Sequence, residues 1–137
     1  MMTAATDQTV DCPHRVECGA CSLLRQPYPD QLDRKRRWLM DAIAKKSHFN
    51  KDKILPTLAS PQFESYRNRA KMAISTDRDR HSALGYFQRS TREVVDAPDC
   101  VVLVPELLET TRRLRGLLNS KTRFPFVMRH IEWKASL

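Results

Sequence analysis

Three of the four cysteines in this chain fall within ten residues of one another near its start, and the fourth stands alone far downstream. They are Cys12, Cys18, Cys21 and Cys100, separated by five, two and seventy-eight residues. Sulfurs on one short loop can converge on a small volume, which is what a metal centre demands of a sequence. The distant fourth must be delivered by folding. A chain that uses all four for one centre has its N-terminal loop tied to its middle, and that restricts the folds open to it more than any other feature.

Metal and disulfide readings divide on compartment. Residues 1–11 (MMTAATDQTVD) lack the basic and apolar regions of a signal peptide. No stretch approaches the roughly 18–20 apolar residues of a membrane span. A cytoplasmic location follows as the expectation, and there four cysteines read as metal ligands rather than as two disulfides. Zinc sites commonly use two close pairs, and this chain has one, so the spacing favours an iron–sulfur centre of the [4Fe–4S] type, with zinc as the alternative. A competing reading makes Cys100, beside Val101 and Val102, a small buried apolar residue. His14, two residues from Cys12, has the chemistry of a substitute ligand but reads first as a loop residue.

Charge points outward to a partner. The 137 residues carry 24 Lys and Arg against 16 Asp and Glu, a formal charge of +8. Such an excess favours polyanions, with nucleic acid ahead of an acidic protein or a membrane surface. Size allows one domain, or a domain with an appendage, and a real core. Residues 1–11 read as a disordered leader, 12–22 as the metal-binding loop, and 23–137 as one central domain. No internal repeat or low-complexity tract interrupts it.

Within that domain, 29–46 reads as a helix opened by Pro29 and Asp30, with Leu32, Leu39, Ala42 and Ile43 as its apolar stripe and Trp38 at the edge. The run Arg34–Arg37 encircles this helix as a solvated surface. A connection follows over 47–62, with a short strand at Ile54–Leu55. Residues 65–76 alternate as a strand, 77–82 turn, and 83–89 return as its hairpin partner. Val94–Val95 extend the sheet. Residues 105–118 form a second helix, with Leu107, Leu114, Leu117 and Leu118 buried, and 126–135 a last strand. The expected class is α/β of the α+β kind: a mixed or antiparallel sheet, two helices packed on it, and an N-terminal Cys-rich metal-binding loop at one edge.

Alternation on the 65–76 strand puts Arg67, Arg69 and Lys71 on one face, with Arg89 joining from the partner strand. A row of cations on a rigid sheet neutralises several phosphates at once, and Tyr66, Tyr86 and Phe87 offer stacking surfaces for unpaired bases. The ordinary alternative is a solvated sheet face opposite a packed one.

Taken together, these segments resemble a known family. Cys12-Pro13-His14-Arg15-Val16-Glu17-Cys18-Gly19-Ala20-Cys21 resembles the iron–sulfur segment of the bacterial RNA (uracil-5-)-methyltransferases that act on large-subunit (23S) ribosomal RNA. Tyr28, Gln31, Leu32 and Lys35 resemble the start of the helix that follows it there. Tyr66-Arg67-Asn68-Arg69-Ala70-Lys71 resembles the family's basic strand, and Gly85-Tyr86-Phe87 with Val94-Val95-Asp96 and Cys100 resembles the stretch after it. The resemblance runs from about residue 12 to the end.

It implies a [4Fe–4S] cluster held by Cys12, Cys18, Cys21 and Cys100, and a central domain in contact with RNA, here ribosomal RNA. In such enzymes S-adenosylmethionine is the methyl donor, and a separate C-terminal Rossmann-like domain does the chemistry. There a cysteine thiolate adds to uracil C6 and a base removes the C5 proton. This sequence has three glycines (Gly19, Gly85, Gly116), none in a glycine-rich loop, and no cysteine beyond the four. A partial form without a catalytic residue of its own is therefore the expectation. The competing functions are a free-standing metal-stabilised RNA-binding module and an iron–sulfur redox protein.

Overall fold

The computed structural model describes residues 9–45, 49–120, 124 and 126–136. Residues 1–8 of the expected leader lie outside the described residues, as does Lys46 at the expected end of the first helix, while Val10 within the leader is buried. Two compact units emerge. One contains Leu23–Pro61, and the other joins Asp11–Ser22 to the chain from Gln62 onward. This division cuts across the single 23–137 domain read from the sequence.

In the first unit, α1 runs Tyr28–Ala44. Pro29 sits in its first turn, where an N–H is not needed, and Asp30 faces the positive end of the helix. Its apolar stripe is only partly covered: Trp38 is 50% and Leu39 51% exposed. The basic run is less uniformly solvated than expected. The Arg34 guanidinium stacks 5.2 Å from the Trp38 ring centroid, and Arg36 donates through Nε and Nη2 to the Ile54 carbonyl at 3.2 and 2.8 Å. The strand expected at Ile54–Leu55 is not formed. A 3₁₀ turn, Lys51–Lys53, is capped by Asn50, whose side-chain oxygen accepts from the Asp52 N–H. The chain then runs on extended, held to α1 by Arg36 and by the Thr57 hydroxyl, which donates to the Leu32 carbonyl at 3.0 Å.

The second unit is an antiparallel four-stranded sheet with one helix against it. Its strands are β1 (Arg69–Thr76), β2 (Ser82–Phe87), β3 (Val94–Asp96) and β4 (His130–Lys134), in the order β3-β2-β1-β4. The chain is of the α+β class, as expected. Alternation along β1 buries Ala70, Met72 and Ile74 on one face and leaves Arg69, Lys71 and Ser75 exposed on the other. Helix α2 (Pro105–Leu118) covers the buried face with Leu107 and Thr111, and Leu108, Leu114 and Leu118 pack at the margin. Met72, Leu84 and Leu103 are almost fully enclosed, each contributing about 1.5–3 kcal/mol. The Thr111 hydroxyl donates back to the Leu107 carbonyl at 2.7 Å, so its burial leaves no polar atom unpaired.

Two side chains lock α2 to the sheet. Asn119 grips both backbone groups of Ser82, accepting from its N–H at 2.8 Å and donating to its carbonyl at 2.9 Å. Asp96 accepts from the Leu84 N–H at 3.0 Å and pairs with Arg115. Strand β1 begins at Arg69 rather than at residue 65. The segment before it turns to a different neighbour: the Ser65 N–H donates to the Val101 carbonyl at 2.9 Å, and the Arg67 N–H to Val102 at 2.7 Å. The Val104 N–H donates back to Arg67 at 3.1 Å, closing a parallel bridge. Among the described residues, no helix is long and apolar enough to cross a membrane.

Candidate functional site

The cysteine loop is folded by its own backbone and then fastened to the sheet. The Arg15 N–H donates to the Cys12 carbonyl at 3.1 Å and the Cys18 N–H to the His14 carbonyl at 2.9 Å, so the five intervening residues coil into a compact turn. The next residues extend β2. The Gly19 N–H donates to the Phe87 carbonyl at 3.0 Å and the Arg89 N–H to Glu17 at 3.3 Å, with Cys18 bridged to Gln88. Glycine is required there by close approach, because a Cβ on residue 19 would stand 2.7 Å from the Phe87 oxygen.

Cys100 arrives from the other side. It follows β3, is 8% exposed, and belongs to the core with Val102, Leu103 and Leu107. His14 Nε2 and Asp99 Oδ1 meet at 2.5 Å, joining the loop to the residue before Cys100. This contact holds the Asp99 carboxyl below its ordinary pKa. All four cysteines are free thiols. Each lies close enough to others of the set for their charges to interact: Cys12 with Cys18, Cys18 with Cys21, and Cys100 with both Cys21 and Cys12. Among the described residues, no three His, Cys, Asp or Glu side chains converge closely enough to hold a single metal ion.

Burial pushes all four thiols above their ordinary pKa, because a thiolate there would lose its hydration; Arg67 works against this at Cys18, Cys21 and Cys100. In metal-free protein the folded state therefore holds its protons to higher pH than the unfolded chain. Stability is full below the unfolded thiol pKa, about 8.5, and falls as pH rises through the folded values. Thermal melts of chelated protein from pH 7 upward should show a falling midpoint above that value, and a Cys12, Cys18, Cys21 triple Ser variant should show a shallower fall. An equal fall in the two would assign the effect elsewhere.

No family model matches the chain. It is, however, similar to named enzymes. Over 122 residues, 88% of its length, it is 30% identical to the 23S rRNA (uracil(1939)-C(5))-methyltransferase RlmD of Pseudomonas fluorescens. It is 30% identical over 117 residues to the enzyme of the same name from Acidithiobacillus ferrooxidans. Against an uncharacterized RNA methyltransferase of Nitratidesulfovibrio vulgaris it is 37% identical over 89 residues, 65% of its length. The chain belongs to this RNA methyltransferase family. It spans only part of these relatives: the matched regions make up 27%, 26% and 19% of their respective lengths.

The cations expected to contact RNA divide in the fold of this chain. Arg69 and Lys71 lie on the exposed face of β1, as alternation predicts. Arg69 pairs with Glu132 across β4. Arg89 is exposed next to the cysteine loop, close enough for its charge to act on Cys18. Arg67 lies outside β1, and its half-buried guanidinium points Nη2 at Cys21 Sγ, 3.9 Å away. Tyr86, expected as a stacking surface, is also turned inward. Burial, and next the proximity of Cys100, push its phenol up to about 12. Phe87 remains 43% exposed and makes an edge-on contact with His130. The sequence reading missed the His14–Asp99 and Arg67–Cys21 contacts. Motif spacing carries no signal for pairs 85 and 46 residues apart.

Proposed function

We propose that this chain is the iron–sulfur and RNA-contacting segment of a methyltransferase that makes 5-methyluridine in ribosomal RNA. The observation that carries the proposal is the assembly of Cys12, Cys18, Cys21 and Cys100 from two distant stretches of one compact unit. Four free thiols suit a [4Fe–4S] cluster, which takes one thiolate at each iron. Its ligating sulfurs therefore stand further apart than donors on a single ion, in keeping with thiols that neighbour one another without converging. A cluster bound there would cross-link loop and body, and its binding energy would count as folding energy.

RNA would lie on the outer face of the sheet, where Arg69, Lys71 and Lys134 are exposed, with Arg89 at the margin and Phe87 and Tyr66 as stacking surfaces. Methyl transfer from S-adenosylmethionine belongs to the region of the relatives that this chain does not span. An enzyme modifying ribosomal RNA in this way would work in the cytoplasm.

Oxygen-free purification followed by iron, sulfide and zinc analysis tests the centre. Iron and acid-labile sulfide in equal amounts are expected; zinc without sulfide would replace the cluster with a single ion. A salt titration tests the RNA face. The logarithm of affinity for a ribosomal RNA fragment should fall linearly with the logarithm of salt, and Lys71→Gln should reduce that slope by about 0.7–0.9.

A further inference from the structure

Two residues beside the cysteines are placed in a way that neither packing nor RNA contact explains. The first is Arg67. Its backbone is fixed on both sides by the strand-like bridge to Val102 and Val104, and Ser65, two residues earlier, has a φ of 50°. A non-glycine residue in that region costs about 1–2 kcal/mol. A surface arginine normally sends its head group to water, yet this one is half-buried with a guanidinium nitrogen 3.9 Å from Cys21 Sγ.

The second is Tyr86. It pairs with Val95 in the β2–β3 ladder and packs against the core. Its hydroxyl is buried, and its proton has no acceptor among the described residues. Arg67 comes within hydrogen-bonding reach of that hydroxyl, but a guanidinium only donates; Cys100 and Cys21 lie within electrostatic reach, and neither completes a hydrogen bond as acceptor of the O–H proton. A buried O–H without an acceptor costs about 1–3 kcal/mol. Phenylalanine would fill the same volume without that cost. The oxygen therefore calls for an acceptor, and the groups around it are thiols and one cation.

We propose that Arg67 and Tyr86 are positioning residues for the metal centre, the guanidinium donating to the Cys21 sulfur and the Tyr86 hydroxyl donating to a second sulfur of the bound cluster. This inference rests on the cluster reading above. Four thiolates around an iron–sulfide core leave a net negative charge in a place with little water. A cation and an O–H aimed at the sulfurs offset that charge, and they favour the more negative, reduced form over the oxidised one. Both residues thus raise the reduction potential and hold the centre in place. Arg67 serves the inside of the site, while Arg69 and Lys71 face outward.

The test uses the full chain, prepared without oxygen, as wild type, Tyr86→Phe, Arg67→Gln and Arg113→Gln. The last removes an exposed charge from α2. Each is assayed for iron and sulfide per chain, and each is titrated electrochemically with the reduced form followed by electron paramagnetic resonance. Tyr86→Phe should hold as much iron and sulfide as wild type. At any set potential its ratio of reduced to oxidised centre should drop about tenfold, equivalent to about 59 mV for one electron. Arg67→Gln should move the same way and lose iron to a chelator faster, and Arg113→Gln should match wild type.

A fully loaded Tyr86→Phe with the wild-type potential would overturn the proposal and assign the hydroxyl to a buried water, leaving the cluster reading intact. Wild-type protein free of iron and sulfide would bring down both. If Arg67→Gln does not fold, Tyr86→Phe, which differs from wild type by one oxygen, decides alone.

Discussion

Replacing Gly85 by alanine is expected to cost the sheet-bearing unit about 3–5 kcal/mol, above the roughly 1–3 kcal/mol typical of overpacking because the colliding atoms are backbone. A Cβ built on Gly85 lies 1.9 Å from the Val95 carbonyl oxygen and 3.0 Å from the Ala97 nitrogen. Both obstacles are backbone, so no rotamer change relieves them. Relief requires parting β3 from β2, which sacrifices the ladder at Gly85–Asp96, Tyr86–Val95 and Phe87–Val94 and the bond from the Ala97 N–H to the Leu84 carbonyl. At about 1 kcal/mol for each hydrogen bond lost, that is a large share of the 5–15 kcal/mol that holds a typical domain together.

The damage would not stay at the edge, because β3 leads directly into Asp99 and Cys100. Urea unfolding should show a lowered midpoint with an unchanged slope, and the variant should also load less iron. Gly116 supplies the control. Nothing lies within 4 Å of a Cβ there, so Gly116→Ala should stabilise α2 by about 0.8–1 kcal/mol through helix propensity alone. A loss below about 1 kcal/mol at Gly85 would mean that β3 shifts aside freely.

The contrast between these two glycines marks what could be read in advance. Helix α2 was legible to the residue because Pro105, Glu106 and the leucine spacing are local signals. Strand β1 was legible as alternation, but its start was not. Ser65 to Arg67 look like more of the same strand, yet Ser65 and Arg67 bond to the stretch after Cys100, and such a long-range parallel bridge leaves no trace in a period of two. For the same reason Arg67 was read as one of three outward cations when it is the one that turns in. The expected strand at Ile54–Leu55 failed because Asn50 and Asp52 build a capped turn just before it and Arg36 claims the Ile54 carbonyl. The four cysteines could be singled out because sulfur chemistry is written in residue type. What fastens their loop could not, since the acceptors at Phe87 and Glu17 are backbone carbonyls that any residue supplies.

Cys100→Ala should separate the two roles that its position allows. In chelated protein the residue is only a buried neighbour of Val102 and Leu103, and exchanging its sulfur for hydrogen should cost about 1 kcal/mol, as small core truncations do. In protein isolated without oxygen the same change removes one of four ligands, and the binding energy that doubles as folding energy goes with it. The fall in melting temperature from wild type to variant should therefore be several times larger before chelation than after. Cys12→Ala provides the cross-check, because Cys12 sits on the loop and Cys100 in the core. Once either ligand is lost, removing the second should cost almost nothing more in the metal-loaded preparation, a strongly non-additive pair. In the chelated preparation the two costs should come closer to adding. Equal losses with and without metal, adding in both preparations, would make Cys100 a core residue and nothing else, and would leave the three loop thiols without their fourth.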